Sequence, residues 1–259
     1  MVIQNLDVVI ENNLAYVKIN RPEVRNALNK ETLDELTIVL ERLESDEEVK
    51  CVILTGEGEK SFAAGADIGQ LENKTMHDAL KAGGMQQVYD YIEGYKKPTI
   101  AMINGYALGG GCELAMACDV RIASRTAKMG LPELNLSIIP GAGGTQRLTR
   151  LVGKGKALEL ILTGKIISSE EAANIGLISE VVESSQLKEK TVEVAQQIIS
   201  KGPLAVMLAK LAVNVGAETD MKTALIIEKL SQAILFSSED KQEGTRAFLE
   251  KRKPAFQGK

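Results

Sequence analysis

The chain has 259 residues, 44% of them hydrophobic and 25% charged, enough for one large core or a main domain with an appendage. A net charge of -4 and a pI near 5.4 argue against a nucleic-acid surface as the main function, and 3% aromatic residues with no Trp argue against stacking on bases. Three cysteines (Cys51, Cys112, Cys118) and one histidine (His77) do not make a disulfide framework, a Cys/His dyad or a His-based metal site.

In chain order, residues 8–20 read as a hairpin, with two β-rich runs flanking Asn12-Asn13 as the turn and Arg21-Pro22 as the stop. Residues 30–45 carry Leu33, Leu36, Leu40 and Leu43 at helical spacing and predict an amphipathic helix. Residues 49–55 predict a buried strand closed by Gly56-Glu57-Gly58, and residues 61–67 a small-residue binding loop. The polar stretch 70–95 contains Gly83-Gly84 and predicts a partly helical, mobile segment. Pro98 leads into a strand over 99–103. A glycine-rich turn at 105–111 then opens a helix, and residues 120–123 form a further strand. Residues 131–139 lead through a glycine turn to a helix carrying Arg147 and Leu151. Ser168 to Glu171 reads as a capping box opening another helix, and 178–182 is the last strand. Alternation of strands and helices indicates an α/β core.

From residue 185 onward the pattern is helical, with starts near Ser185, Pro203, Thr219 and Ser238 and with Gly202 and Gly216 as stops. Residues 224–236 carry more apolar side chains than one buried face needs, which fits packing on the core or on another subunit. The expected division is a core over residues 1–195 and a helical oligomerisation region over 196–259. The chain opens without a basic region followed by an apolar core, and no apolar run approaches membrane-span length. The expectation is a soluble, cytoplasmic protein with no membrane or nucleic-acid partner.

Two glutamates stand out. Glu113 follows Gly109-Gly110-Gly111-Cys112 at the start of a helix, and Glu133 follows Gly130-Leu131-Pro132. A glutamate in a first helical turn is ordinarily a dipole partner, but the neighbours of Glu113 make an apolar face, and a buried carboxylate is costly unless used or paired. Two carboxylates can act as base and acid, and N–H groups at a helix start can hold an oxyanion. The glycine clusters do not fit nucleotide loops: Gly109-Gly110-Gly111 lacks the further glycine of a dinucleotide fingerprint, and Gly153-Lys154-Gly155-Lys156 is followed by Ala157.

Taken together, Ser61-Phe62-Ala63-Ala64-Gly65-Ala66-Asp67, the run 103–115, Leu131-Pro132-Glu133 and Pro140-Gly141-Ala142-Gly143-Gly144-Thr145-Gln146-Arg147-Leu148 resemble the crotonase (enoyl-CoA hydratase/isomerase) superfamily, and most of all its short-chain hydratases. The resemblance implies a spiral of repeated ββα units with a C-terminal helical trimerisation region, assembled as a homotrimer or a dimer of trimers. It implies an acyl-CoA thioester substrate and no cofactor or metal, coenzyme A being part of the substrate. It places an oxyanion hole at the N–H groups of Ala66 and Gly110, and water activation and proton transfer at Glu113 and Glu133, with Gly141 as a nearby donor. It places coenzyme A along Arg25, Ala27, Ala63, Ala64, Gly65, Asp67 and Ile68, with Phe248 and Lys251 reaching the CoA of a neighbouring subunit. The implied reaction is reversible syn hydration of a short-chain trans-2-enoyl-CoA. The alternatives are Δ3–Δ2 isomerisation and a non-catalytic RNA-binding role.

Overall fold

The computed structural model describes residues 3–81 and 83–259. It opens with a hairpin of β1 (Leu6–Glu11) and β2 (Leu14–Ile19), joined through Asn12 and Asn13 at φ 53° and 65°. Positive φ at both turn residues matches the twist of the flanking strands, and Asn tolerates it. Asn29 then caps α1 (Lys30–Ser45) by accepting the Thr32 N–H at 2.9 Å.

Three strand pairs follow, each leading to helices: β3 (Cys51–Gly56) and β4 (Ser61–Ala63), then α2 (Ile68–Leu71), α3 (Met76–Leu80) and α4 (Met85–Glu93); β5 (Thr99–Ile103) and β6 (Tyr106–Leu108), then α5 (Gly110–Ala117); β7 (Val120–Ser124) and β8 (Lys128–Gly130), then α6 (Gly144–Val152) and α7 (Lys154–Thr163). β9 (Ile167–Ser168), α8 (Ser169–Asn174) and β10 (Glu180–Val182) complete the core. The first strand of each pair joins a six-stranded sheet, β1-β2-β3-β5-β7-β10, and the second joins a four-stranded sheet, β4-β6-β8-β9. Among the described residues only β1/β2 and β8/β9 pair antiparallel. This alternation is the expected ββα spiral.

β3 is buried along its whole length. Val52 and Leu54 face α1 and α5, whereas Cys51 and Ile53 face the other way, toward α9 (Leu187–Ile199). A strand covered on both faces has no polar alternation, which explains its unbroken apolar sequence. α9 runs through residue 196, so the expected division at 195/196 falls inside it, and the chain leaves the core at the turn before Pro203.

The tail consists of α10 (Pro203–Ala217), α11 (Met221–Phe236) and α12 (Glu239–Leu249). Gly216 does not stop α10 but lies in its last turn; Asp220 caps the next helix instead, its side chain accepting the Thr223 N–H. Among the described residues no single helix is long and apolar enough to cross a membrane. The tail has little core of its own, since Leu208 is the only buried residue of α10 and Ser231 the only one of α11. Leu225, Ile226, Leu230, Ile234 and Phe236 are each at least half exposed.

Candidate active site

The site forms where the two sheets deliver their loops to the head of α5. The turn before α5 must pass close to its neighbours. Gly109 takes φ 52°, and a Cβ there would stand 3.0 Å from Glu133 Oε1. A Cβ on Gly111 would stand 2.0 Å from the Ala63 carbonyl, so glycine lets α5 lie directly on β4. This packing brings the loop after β4 to the first N–H groups of α5: a Cβ on Gly65 would lie 3.7 Å from the Gly110 nitrogen.

The 61–68 loop is held by the segment before α1. Leu28 N–H donates to the Gly65 carbonyl at 2.8 Å, and Asp67 N–H donates to the Leu28 carbonyl at 3.0 Å. These two bonds form a parallel bridge across Ala66 and leave the Ala66 N–H free of it. Among the described residues neither the Ala66 nor the Gly110 N–H meets an acceptor. Gly110 begins α5, where the first-turn N–H groups lack helical partners and the dipole favours negative charge. Tyr89, fully buried on α4, fixes this terminus by donating its hydroxyl to the Gly110 carbonyl at 2.8 Å.

Glu113 is 2% exposed, and its Oε1 accepts the N–H groups of Ala142 at 2.8 Å and Gly144 at 2.7 Å. Burial raises its carboxyl above the usual range, opposed by those two N–H donors and by the Arg147 charge. Glu133 heads a 3-10 turn, Glu133–Leu136, and its Oε2 is buried with no hydrogen-bond partner among the described residues. Burial pushes Glu133 up to about 7, opposed by its own backbone N–H and helped by the charge of Glu113. Two carboxylates with different environments therefore lie near enough for the charge of Glu113 to act on Glu133. One is anchored by donors; the other has an unsatisfied oxygen and a carboxyl pushed up to about 7. Such a pair can take a proton at one end and give one at the other.

The other expected site residues fall as follows. Ala63 and Gly65 are buried in the loop wall, while Ala27, Ala64 and Asp67 are half-buried. Ile68, 61% exposed, begins α2 at the loop rim. Arg25 is exposed at φ 56°, with its carbonyl accepting the Ala64 N–H at 3.1 Å. Gly141 is exposed, and the donors that reach Glu113 are its neighbours Ala142 and Gly144. Phe248 is 83% exposed, and Lys251 is exposed just past α12 at φ 55°; among the described residues no hydrogen bond ties the Lys251 side chain to the site loops.

Two functional side chains escaped the sequence reading. Arg21, read only as a strand stop, donates to the Ala27 carbonyl at 2.6 Å and pairs with Asp67 Oδ2 at 3.3 Å, clamping the two loops together. Arg147, a helix residue within the 140–148 motif to which the sequence assigns no role, is buried against Asp90 and Glu93.

Alternating ββα units, with two carboxylates and two unpaired N–H groups at the head of a buried helix, define a crotonase-type fold. The family model for enoyl-CoA hydratase/isomerase matches residues 9–259. The chain belongs to the enoyl-CoA hydratase/isomerase family. It is 48% identical to a short-chain-enoyl-CoA hydratase of Clostridium acetobutylicum, covering 98% of this chain and 97% of that protein. It is 47% identical to a crotonyl-CoA hydratase of Syntrophomonas wolfei, covering 99% of each. The crystal structure of an enoyl-CoA hydratase from Bacillus anthracis superposes with a TM-score of 0.94 at 42% identity, covering 99% of this chain and 100% of that one.

Proposed function

We propose that this chain is an enoyl-CoA hydratase that adds water reversibly, with syn geometry, to short-chain trans-2-enoyl-CoA thioesters such as crotonyl-CoA. The observation that carries the reading is a pair of carboxyls with raised pKa at the head of α5: Glu133 lies against the Gly109 turn that precedes the free Gly110 N–H, and Glu113, in the first turn of α5, is held by the 142–144 loop. The relatives named for short-chain and crotonyl-CoA hydration support the substrate class.

In this reading the thioester oxygen sits between the N–H groups of Ala66 and Gly110. Water lies between the carboxylates. Glu113 takes a proton from it while its oxygen bonds to the β-carbon, and the double-bond electrons move onto the thioester oxygen. The resulting enolate gains more from the two N–H donors than the ground-state carbonyl does, and each such donor is typically worth about 3 kcal/mol. Protonated Glu133 delivers its proton to the α-carbon, so the product has gained one water and the pair has passed a proton from Glu133 to Glu113. Dehydration runs the same steps in reverse. The two groups interact, and their protons belong to the pair. Coenzyme A is part of the substrate, and no separate cofactor enters the scheme. The loops around Arg25, Ala27, Ala63 to Ile68 and Gly141 form its bed.

The exposed apolar faces of α10 and α11 fit a trimer or a dimer of trimers, within which Phe248 and Lys251 would meet a neighbour's coenzyme A. Three buried free thiols fit a reducing, cytoplasmic setting. Separate incubations with crotonyl-CoA and with a 3-enoyl-CoA in 18O-labelled water test the activity: a crotonyl-CoA product heavier by one labelled water supports hydration, and migration of the 3-enoyl double bond with no water taken up by crotonyl-CoA would reassign the chain as an isomerase.

A further inference from the structure

The Glu113 carboxylate is held by one loop, and that loop is held by one side chain. Ala142 turns its N–H to Glu113 Oε1 at 2.8 Å and its carbonyl to Arg147 Nη1 at 2.9 Å. Arg147 is 7% exposed. Its remaining donors go to α4: Nε and Nη2 reach Glu93 Oε2 at 3.0 and 2.8 Å, and Nη2 reaches Asp90 Oδ1 at 2.6 Å. Asp90 and Glu93 are three residues apart and share one face of α4, so both meet a single guanidinium. The Glu93 carbonyl in turn accepts the Asn214 side-chain amide of α10 at 2.9 Å. A series of hydrogen bonds, joined through the covalent frames of Glu93 and Ala142, thus links the C-terminal helices to the carboxylate.

We propose that Arg147, braced by Asp90 and Glu93, is a positioning residue for Glu113, and that Asn214 couples α10 to this brace. The inference rests on Glu113 being the group that activates water. Two N–H groups of a glycine-rich loop must point at the same carboxylate oxygen, which leaves Oε2 for the substrate. A free loop of this composition would sample many orientations. A guanidinium fixes it because its planar fork binds a carbonyl on one edge and carboxylates on the others; an ammonium is a point charge and cannot span these partners. A displacement of about 1 Å at a reacting group can cost about 10²-fold in rate.

The test uses the full-length protein with Arg147→Lys, Glu93→Gln and Asn214→Ala, measuring kcat and KM for crotonyl-CoA separately and thermal unfolding alongside. The expected result is a fall in kcat of about 10²-fold for Arg147→Lys, about 10-fold for Glu93→Gln and about 3-fold for Asn214→Ala, each with KM within about 3-fold of wild type. A brace that served only folding would lower the unfolding temperature and leave kcat of the folded protein intact, and that result overturns the proposal. Should Arg147→Lys fail to fold, Glu93→Gln decides, because the Glu93 side chain is 47% exposed and its loss leaves the core filled. A second readout does not depend on activity: the infrared carboxylate band of Glu113, assigned by difference from Glu113→Gln, shifts in Glu93→Gln if the relay exists and stays put if it does not. An inactive wild type with a shifting band would refute the hydratase reading and leave the relay standing.

Discussion

Replacing Glu133 by glutamine should make the protein more stable at high pH while disabling it. A carboxyl raised from 4.5 to about 7 binds its proton more tightly in the folded than in the unfolded chain. Between those values the folded state holds more protons, so stability falls as pH rises. The penalty is absent below about pH 4.5 and complete above about pH 7.5. At about 1.36 kcal/mol per pH unit the rise corresponds to about 3 kcal/mol, and partial exposure of the side chain reduces this to about 2 kcal/mol. Urea unfolding of wild type and Glu133→Gln at a series of pH values measures the difference directly. The variant should match wild type at pH 4.5 and exceed it by about 2 kcal/mol at pH 8.5. Titrating groups that do not touch Glu133, Asp119 included, act on both proteins and cancel to first order. A difference that does not depend on pH, or one that favours wild type at pH 8.5, would refute the claim that Glu133 is an uncompensated buried carboxylate.

A Cβ on Gly144 would stand 2.7 Å from Glu113 Oε1 and 2.9 Å from the Pro140 side chain, so Gly144→Ala should push the carboxylate aside and lower kcat by about 10²-fold; an unimpaired folded variant would contradict the placement. Burial pushes the Cys51 and Cys118 thiols up to about 12 and Cys112 further still, so a disulfide reagent should find no thiol in minutes in the native protein and three in denaturant. One fast-reacting native thiol would refute that. Leu230 and Ile234 are 60% and 50% exposed on α11; if the proposed trimer packs on this face, replacing both by Asp should weaken it by about 2–3 kcal/mol per site, seen as a smaller mass by light scattering with the core fold retained. An unchanged mass would show that this face is not the interface.

Much of the fold was legible because its signals are local. Asn12-Asn13 announces a hairpin turn, the leucines of α1 announce a buried face, and the apolar run of β3 announces a covered strand. The second sheet was harder to read. β4, β6 and β8 are three residues each, too short to show a period, and β4 is buried throughout, so it reads as loop. Gly216 misled because a glycine late in a helix reads as a terminator, whereas here it faces α11, with a Cβ position 3.5 Å from Ala224 Cβ. At the site, Glu113 was legible from its glycines. What the sequence could not show is who holds it: Arg147 joins residues more than fifty positions apart, and Asn214 lies beyond one hundred. Nor could it show that Arg21 closes the loop ion pair with Asp67, across 46 positions.

The central claim is that Glu113 and Glu133 together hydrate an enoyl thioester. The most direct measurement is loss of the conjugated-thioester absorbance of crotonyl-CoA with wild type, Glu113→Gln, Glu133→Gln and the double variant. The account predicts rapid wild-type turnover, each folded single variant slowed by about 10³-fold or more, and a double variant little worse than either, because the pair acts as a unit. Wild-type turnover that survives either substitution would contradict it.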